Sequence, residues 1–241
     1  MLSAALWLGL AACGGAAAAT PTASPATSPS PSRGPTPSPT TRVLAVPWHH
    51  QAHALSCEAA ALKMALEYLG INVDELTLIA AMGHDTRLPV RDARGRILRW
   101  GDPNLAYVGN PDGKIGVTGY GVYYLPVARA AAARGAYVIA AGSGLYGSGI
   151  EPAAVYQAVL DGHPVVAWIS NTYARVPLSS YRSFGGVNVP YTLTEHAVTV
   201  VGVRPDAVLI NDPWFGRGWH SKAQFESAYA TFADMAVILS R

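Results

Sequence analysis

The apolar positions change their period along the chain. Over residues 57–69, Leu62, Ala65, Leu66 and Leu69 share one helical face, Lys63 and Glu67 lie opposite, and Gly70 follows as a stop. This spacing predicts a helix that starts at Cys57, with Ser56 as N-cap and Glu58 in the first turn, facing solvent. A second helix is predicted over 73–82, where Asn72, Asp74 and Glu75 give a polar start and Gly83 an end. Residues 123–134 are Ala-rich and helical, 137–141 form a strand, and 152–160 form a helix with Pro152 in its first turn. The last third is built differently. Residues 164–170, 196–203 and 207–211 are β-branched apolar runs separated by Gly, Pro, Asn and Asp, the pattern of an antiparallel sheet. A short helix over 225–229 and a strand over 235–239 close the chain.

Between these elements, 43–47 reads as a short entry strand and 48–56 as a polar loop. Residues 84–121, rich in Arg, Gly, Asp and Pro and without a period, read as long loops, which at this length are more often functional than idle. Helices first and sheet later imply one α+β domain over 43–241, long enough to bury a full core.

The preceding residues have another character. Residues 1–13 form an apolar run far shorter than the roughly 20 residues of a membrane-spanning helix, and so read as a targeting segment. Leu10-Ala11-Ala12-Cys13 resembles a lipobox, in which cleavage leaves a lipidated cysteine; the alternative is an incidental apolar terminus, since no Lys or Arg precedes the run. Residues 14–42 are dominated by Ala, Pro, Ser and Thr, with prolines at near-regular intervals, and read as an extended, disordered stalk. The expectation is a membrane-anchored lipoprotein of the bacterial envelope, held through Cys13. With Cys13 consumed by lipid, Cys57 has no partner for an intrachain disulfide.

Only 13% of the residues are charged and the net charge is +2, so no basic stripe argues for nucleic acid. A lone thiol at a helix N-terminus is a different matter. Unpaired N–H groups and the positive end of the helix dipole favour thiolate, the setting of a nucleophile. Such a nucleophile needs a base, an orienter for the base and donors for an oxyanion. His196 opens one apolar strand and Asp212 closes the next. If residues 204–206 form a three-residue turn, Asp212 lies opposite Val198 and His196 is its diagonal neighbour on the same face. A two-residue turn puts them on opposite faces.

Gln51, the Ser56-Cys57-Glu58 helix start, Gly101-Asp102-Pro103, Tyr107-Val108-Gly109, the run from Gly162 to Trp168, Glu195-His196 and Asn211-Asp212-Pro213 together resemble the papain-like, double-glycine-leader cysteine peptidases, and among them the stand-alone peptidase-like branch. The resemblance covers nearly everything from Val46 onward. It implies a papain-like fold with a nucleophile helix packed on an antiparallel sheet, Cys57 as nucleophile, His196 as base, Asp212 as its orienter and Gln51 in the oxyanion hole. Where that family often has Cys-Gly-Pro or Cys-Gly-Ala, this chain has Cys57-Glu58-Ala59. A peptide or peptide-like substrate, a monomer and no cofactor are expected. The runner-up is a catalytically silent peptide- or wall-binding module of the same fold.

Other signals are weaker. Gly142-Ser-Gly144-Leu-Tyr-Gly147 fits a dinucleotide fingerprint but lacks a parallel βαβ unit. His49, His50, His53 and Cys57 match no standard zinc spacing, and a liganded Cys57 would be lost as nucleophile. Aromatic residues crowd the loops, some for the core and others for a groove.

Overall fold

The computed structural model describes residues 40–241. The targeting segment and most of the stalk, expected at 1–13 and 14–42, lie outside the described residues. The elements follow in the order β1 (Arg42–Val43), α1 (Cys57–Tyr68), α2 (Glu75–Met82), β2 (His84–Asp85), β3 (Val90–Arg91), β4 (Ile97–Trp100), β5 (Tyr107–Gly109), β6 (Gly119–Gly121), α3 (Tyr124–Ala133), β7 (Tyr137–Gly142), α4 (Pro152–Asp161), β8 (Val165–Ser170), β9 (Ser179–Ser183), β10 (Asn188–Tyr191), β11 (Glu195–Arg204), β12 (Ala207–Asp212), β13 (Gly216–Ser221), α5 (Lys222–Tyr229) and β14 (Ala236–Ser240). This is the expected α+β class, with the helix of Cys57 packed on an antiparallel sheet.

The main sheet runs β13-β12-β11-β8-β14-β7, with β1 on β11, and every pair in it is antiparallel. Its central strands are buried on both faces, which explains their unbroken apolar runs. In β8, Val166 and Trp168 join one cluster with α1, α2 and α3, while Val165, Ala167 and Ile169 join another with α4 and α5. Helix α1 is buried nearly all round: Ala59, Ala60, Ala61, Leu62, Met64, Ala65 and Leu66 are fully enclosed. Small side chains let it lie close to β11, where Thr199 Oγ1 donates to Ala61 O at 2.8 Å. Only Lys63, Glu67 and Tyr68 are partly exposed, so the helix gains its stability from packing rather than propensity.

The predicted helices and central strands recur within a few residues. The region 84–121 is not merely loop. It contributes five short strands, β2 to β6, to two small sheets, β10-β9-β4-β3 and β2-β5-β6, and these strands are too short to leave a period in the sequence. The turn after β11 also differs from expectation. It has two residues, Pro205 and Asp206, between the pair Arg204–Ala207, which alone would put His196 and Asp212 on opposite faces. A bulge restores them: the register shifts between Val200 and Gly202, making Val201 an extra residue, and Thr199 then pairs with Asn211. One step on, Asp212 stands across from Val198, with His196 diagonal to it.

Candidate active site

The ends of β11 and β12 and the N-terminus of α1 converge on one cleft. Gln51, Cys57, Glu195 and His196 line it, together with Leu55, Tyr120, Trp214 and Phe215, around a volume of about 170 Å³. All four residues are more than nine-tenths buried, so the chemistry they can offer is confined to this opening.

His196 Nε2 lies 2.7 Å from Asp212 Oδ1. An ionised carboxylate only accepts, so Nε2 carries the proton of this bond and Nδ1 stays clear of it. Asp212 is itself held in place: Oδ1 also accepts from the N–H groups of Trp214 (2.9 Å) and Phe215 (3.0 Å), and Oδ2 from Tyr173 Oη at 2.9 Å. Burial pushes the Asp212 carboxyl up, but the hydrogen bond and charge of His196 and the two backbone N–H groups more than offset it, so it sits below the usual aspartate range. Trp48 Nε1 donates to Asp212 O at 2.8 Å, and the Phe215 ring stands edge-on to the imidazole, centroids 6.1 Å apart.

Tyr173 is a residue the sequence did not reveal. It adopts φ +54, uncommon for a bulky side chain, and its ring stacks on His220 with centroids 4.1 Å apart. No residue pattern around Asn171-Thr172-Tyr173 marks it, because its role depends on a loop folding back over the far side of Asp212.

The loop before α1 is tied down by Glu75, the first residue of α2, which is buried against it. Both Glu75 carboxyl oxygens accept from Ala52 N–H, at 3.0 and 3.1 Å, and Ser56 Oγ donates to the same carboxyl. Ser56 therefore occupies the N-cap position without capping through its side chain, contrary to expectation. Gln51 N–H donates to Pro213 O at 2.9 Å, joining this loop to the end of β12. The Gln51 side chain lines the cleft, yet Nε2 donates to His53 O (2.7 Å) and Ala54 O (3.0 Å), and its buried Oε1 has no partner among the described residues. In this state its amide hydrogens serve the loop.

Cys57 is the first residue of α1, where the leading N–H groups have no acceptor within the helix. Its thiol is not the activated thiolate expected from the helix dipole. Burial, then the charges of Glu58 and Glu195, push the thiol well above the usual cysteine range, and an N–H from Ala197 offsets only part of this. The Sγ–H donates to Glu58 Oε2 at 3.4 Å. Glu58 thus does not face solvent as expected. It is completely buried beside Cys57, accepts Val122 N–H at 2.5 Å, and is pushed by burial to a pKa of about 7. The reason lies in long-range packing: α1 is enclosed around Glu58, and Gly121, at φ +141, leaves the room in which a Cβ would meet Glu58 Oε1 at 2.0 Å.

The histidines of the preceding loop diverge rather than form a metal cluster. His49 pairs with Glu67, His53 Nδ1 lies 2.9 Å from Asp112, and His50 packs on Trp214 with centroids 5.3 Å apart. The glycine-rich segment 142–147 leaves β7, whose partner β14 is antiparallel, so no dinucleotide-binding unit surrounds it. Of the loop aromatics, Trp100, Tyr107, Tyr120, Tyr123, Trp168 and Tyr181 are core, whereas Trp214 is half exposed at the cleft.

A helix-borne cysteine, a strand-borne His-Asp pair and an α+β scaffold define a cysteine-peptidase-like domain. The chain matches the Peptidase_C39 like family over residues 43–237 and belongs to it. It is 30% identical over 188 residues to the uncharacterized protein YvpB of Bacillus subtilis (strain 168), spanning 77% of this chain and 69% of that one. Among solved structures, a candidate C39-like peptidase from Bacillus anthracis superposes with a TM-score of 0.68 at 26% identity, covering 83% of this chain and 98% of that one.

Proposed function

We propose that the domain hydrolyses amide bonds of peptides through Cys57, His196 and Asp212. The observation that carries the reading is the buried His196–Asp212 pair at 2.7 Å, since His196 lines the same cleft as Cys57. In this reading the thiol leaves Glu58 by rotation about its side chain and gives its proton to His196 Nδ1. Sγ attacks the substrate carbonyl, and the oxyanion is held by the Cys57 backbone N–H and by Gln51 once its amide is released from the loop carbonyls. The C–N bond then breaks, His196 returns the proton to the leaving amine, and water hydrolyses the thioester with His196 again as base. Asp212 orients the imidazole and stabilises the imidazolium.

Incubation with a peptide library, read by mass spectrometry with Cys57→Ala as control, tests this. Cleavage that vanishes in Cys57→Ala is expected; cleavage that persists, or none with either protein, sinks the peptidase reading. A second reading, a silent peptide-binding module of the same fold, is favoured by the resting thiol, which faces a carboxyl rather than an imidazole. It predicts peptide binding without turnover.

We further propose that the domain is an extracytoplasmic lipoprotein tethered at Cys13, a reading supported by the apolar run ending in Leu10-Ala-Ala-Cys13 and the proline-rich stretch after it. Incorporation of labelled palmitate that is lost in Cys13→Ala is the expected result; soluble, unlabelled protein would exclude it.

A further inference from the structure

Two carboxyl groups lie beside the nucleophile without a counter-ion. One ligand oxygen each from Glu58 and Glu195, and Cys57 Sγ, are within 4.8 Å of one another. Glu58 has partners in Val122 N–H and the thiol. Glu195 is different. It lines the cleft, is 4% exposed, and its Oε1 has no hydrogen-bond partner among the described residues. A buried acceptor left unmatched is costly; burial, then the charge of Glu58, push the Glu195 carboxyl well above the usual glutamate range, so its charged form is favoured only when a cation arrives beside it. No lysine or arginine lines the cleft among the described residues, and His196, the one side chain there that can carry positive charge, is bound to Asp212. The backbone makes room for the pair, since a Cβ on Gly121 would lie 2.0 Å from Glu58 Oε1 and 3.3 Å from Glu195 Oε2.

We propose that Glu195 is a specificity determinant that receives the free α-ammonium group of a substrate's N-terminal residue, so that the domain acts as an aminopeptidase. This rests on Cys57 being the nucleophile of the peptidase reading. Chain geometry selects the α-amine. Once the carbonyl carbon is bonded to Sγ, the α-nitrogen is three bonds from sulfur, within hydrogen-bond reach of an oxygen no more than 4.8 Å from that sulfur. The ammonium of a lysine side chain is seven bonds away and overshoots when extended. An internal residue presents only a neutral amide N–H at that place, which could meet one acceptor but would leave the carboxyl pair without positive charge. Leu55, Ile115 and Leu193 give the cleft apolar walls, which suit an aliphatic first side chain. The reaction consumes one water: the first amide C–N bond breaks, its acyl group passes to Sγ and then to water, and the products are a free amino acid and the shortened peptide.

Protection of Cys57 from iodoacetamide tests the site without requiring turnover. Leucinamide should protect the wild-type protein at a concentration at least about tenfold lower than N-acetyl-leucinamide, and in Glu195→Gln that margin should fall below about threefold. Glu195→Asp, which keeps the charge but shortens its reach, should fall between them and serves if Glu195→Gln does not fold. Equal protection by the two amides, an undiminished margin in the variants, or protection by Zn²⁺ but by neither amide would overturn the proposal. Hydrolysis of leucyl aminomethylcoumarin separates the two claims. Selective protection without hydrolysis sinks the peptidase reading and keeps the ammonium site. Cleavage of internal peptide bonds without selective protection keeps the peptidase and sinks the site.

Discussion

His196 Nε2 reaches Asp212 Oδ1 at 2.7 Å because the strand that carries the histidine holds one residue too many. The two-residue turn at Pro205-Asp206 sets a register in which Thr199 would face Asp212, and His196 would lie on the other side of the sheet. Val201, the extra residue, moves the pairing by one before the strand reaches the cleft. A bulge next to the His196–Asp212 pair is thus part of the candidate site, although Val201 does not line the cleft.

Asp212 should matter more than its contacts with solvent suggest. In the peptidase reading Asp212→Asn keeps the shape but loses the charge that holds the imidazole, and a fall in kcat of roughly 10³- to 10⁴-fold is expected. The variant should also change the acid limb of stability. The Asp212 pKa is depressed below its ordinary 3.8, so its contribution is present above that value and is lost as pH falls through the lower folded value. Urea unfolding measured between about pH 5 and pH 2 should show a smaller acid loss in Asp212→Asn than in wild type.

Tyr173→Phe removes the hydroxyl that donates to Asp212 Oδ2 and leaves the stack on His220. The expected cost is about 1 kcal/mol of stability and a five- to tenfold lower kcat, with KM little changed. Steady-state kinetics beside thermal unfolding check it; a change confined to KM would place Tyr173 in substrate binding instead.

In the peptidase reading Glu58 brakes the nucleophile. Its folded pKa of about 7 stands above the ordinary 4.5, so the stability linked to its protonation is fully present below 4.5 and is lost as pH rises through about 7. Glu58→Gln should therefore flatten the stability profile over that interval. Above neutral pH the wild-type carboxylate also opposes ionisation of the thiol beside it. Alkylation of Cys57 should be on the order of tenfold faster in Glu58→Gln at pH 8 and nearly unchanged at pH 5. A uniform change at both pH values would show that the substitution acts through packing.

The position of Glu58 also marks the limit of what the sequence discloses. Helix boundaries, the central strands and the order of Gln51, Cys57, His196 and Asp212 were legible because periodicity, caps and motif spacing are local. The inward turn of Glu58 was not, since it depends on Gly121 and Val122 arriving from 64 residues downstream, as the Val122–Glu58 hydrogen bond shows. The same holds for Tyr173, whose partners Asp212 and His220 lie on β12 and β13, and for Glu75, whose partners Ala52 and Ser56 lie in the loop before α1. The diagonal of His196 and Asp212 was anticipated correctly through a three-residue turn, yet the chain reaches it by a shorter turn and a bulge. Register counting alone cannot separate these two routes, as each shifts the pairing by one.

Glu75 carries the last prediction. Its carboxyl is the acceptor for Ala52 N–H and for Ser56 Oγ, and these two contacts fix both ends of the segment between Gln51 and Cys57. Glu75→Ala takes the acceptor from the part-buried Ala52 N–H, for which a loss of about 1 kcal/mol is expected. The catalytic consequence follows from geometry. An oxyanion site works only while its donors stay in place, and both proposed donors, the Cys57 N–H and the Gln51 amide, sit at the ends of this segment. Hydrogen exchange at Ala52 should accelerate, and kcat should fall further than the loss of folded protein accounts for, while Glu75→Gln, which keeps an acceptor oxygen, recovers most of both. If Glu75→Ala lowers stability but leaves kcat per folded molecule unchanged, the loop is held by its other ties, Gln51 N–H to Pro213 O and Tyr107 Oη to Leu55 O.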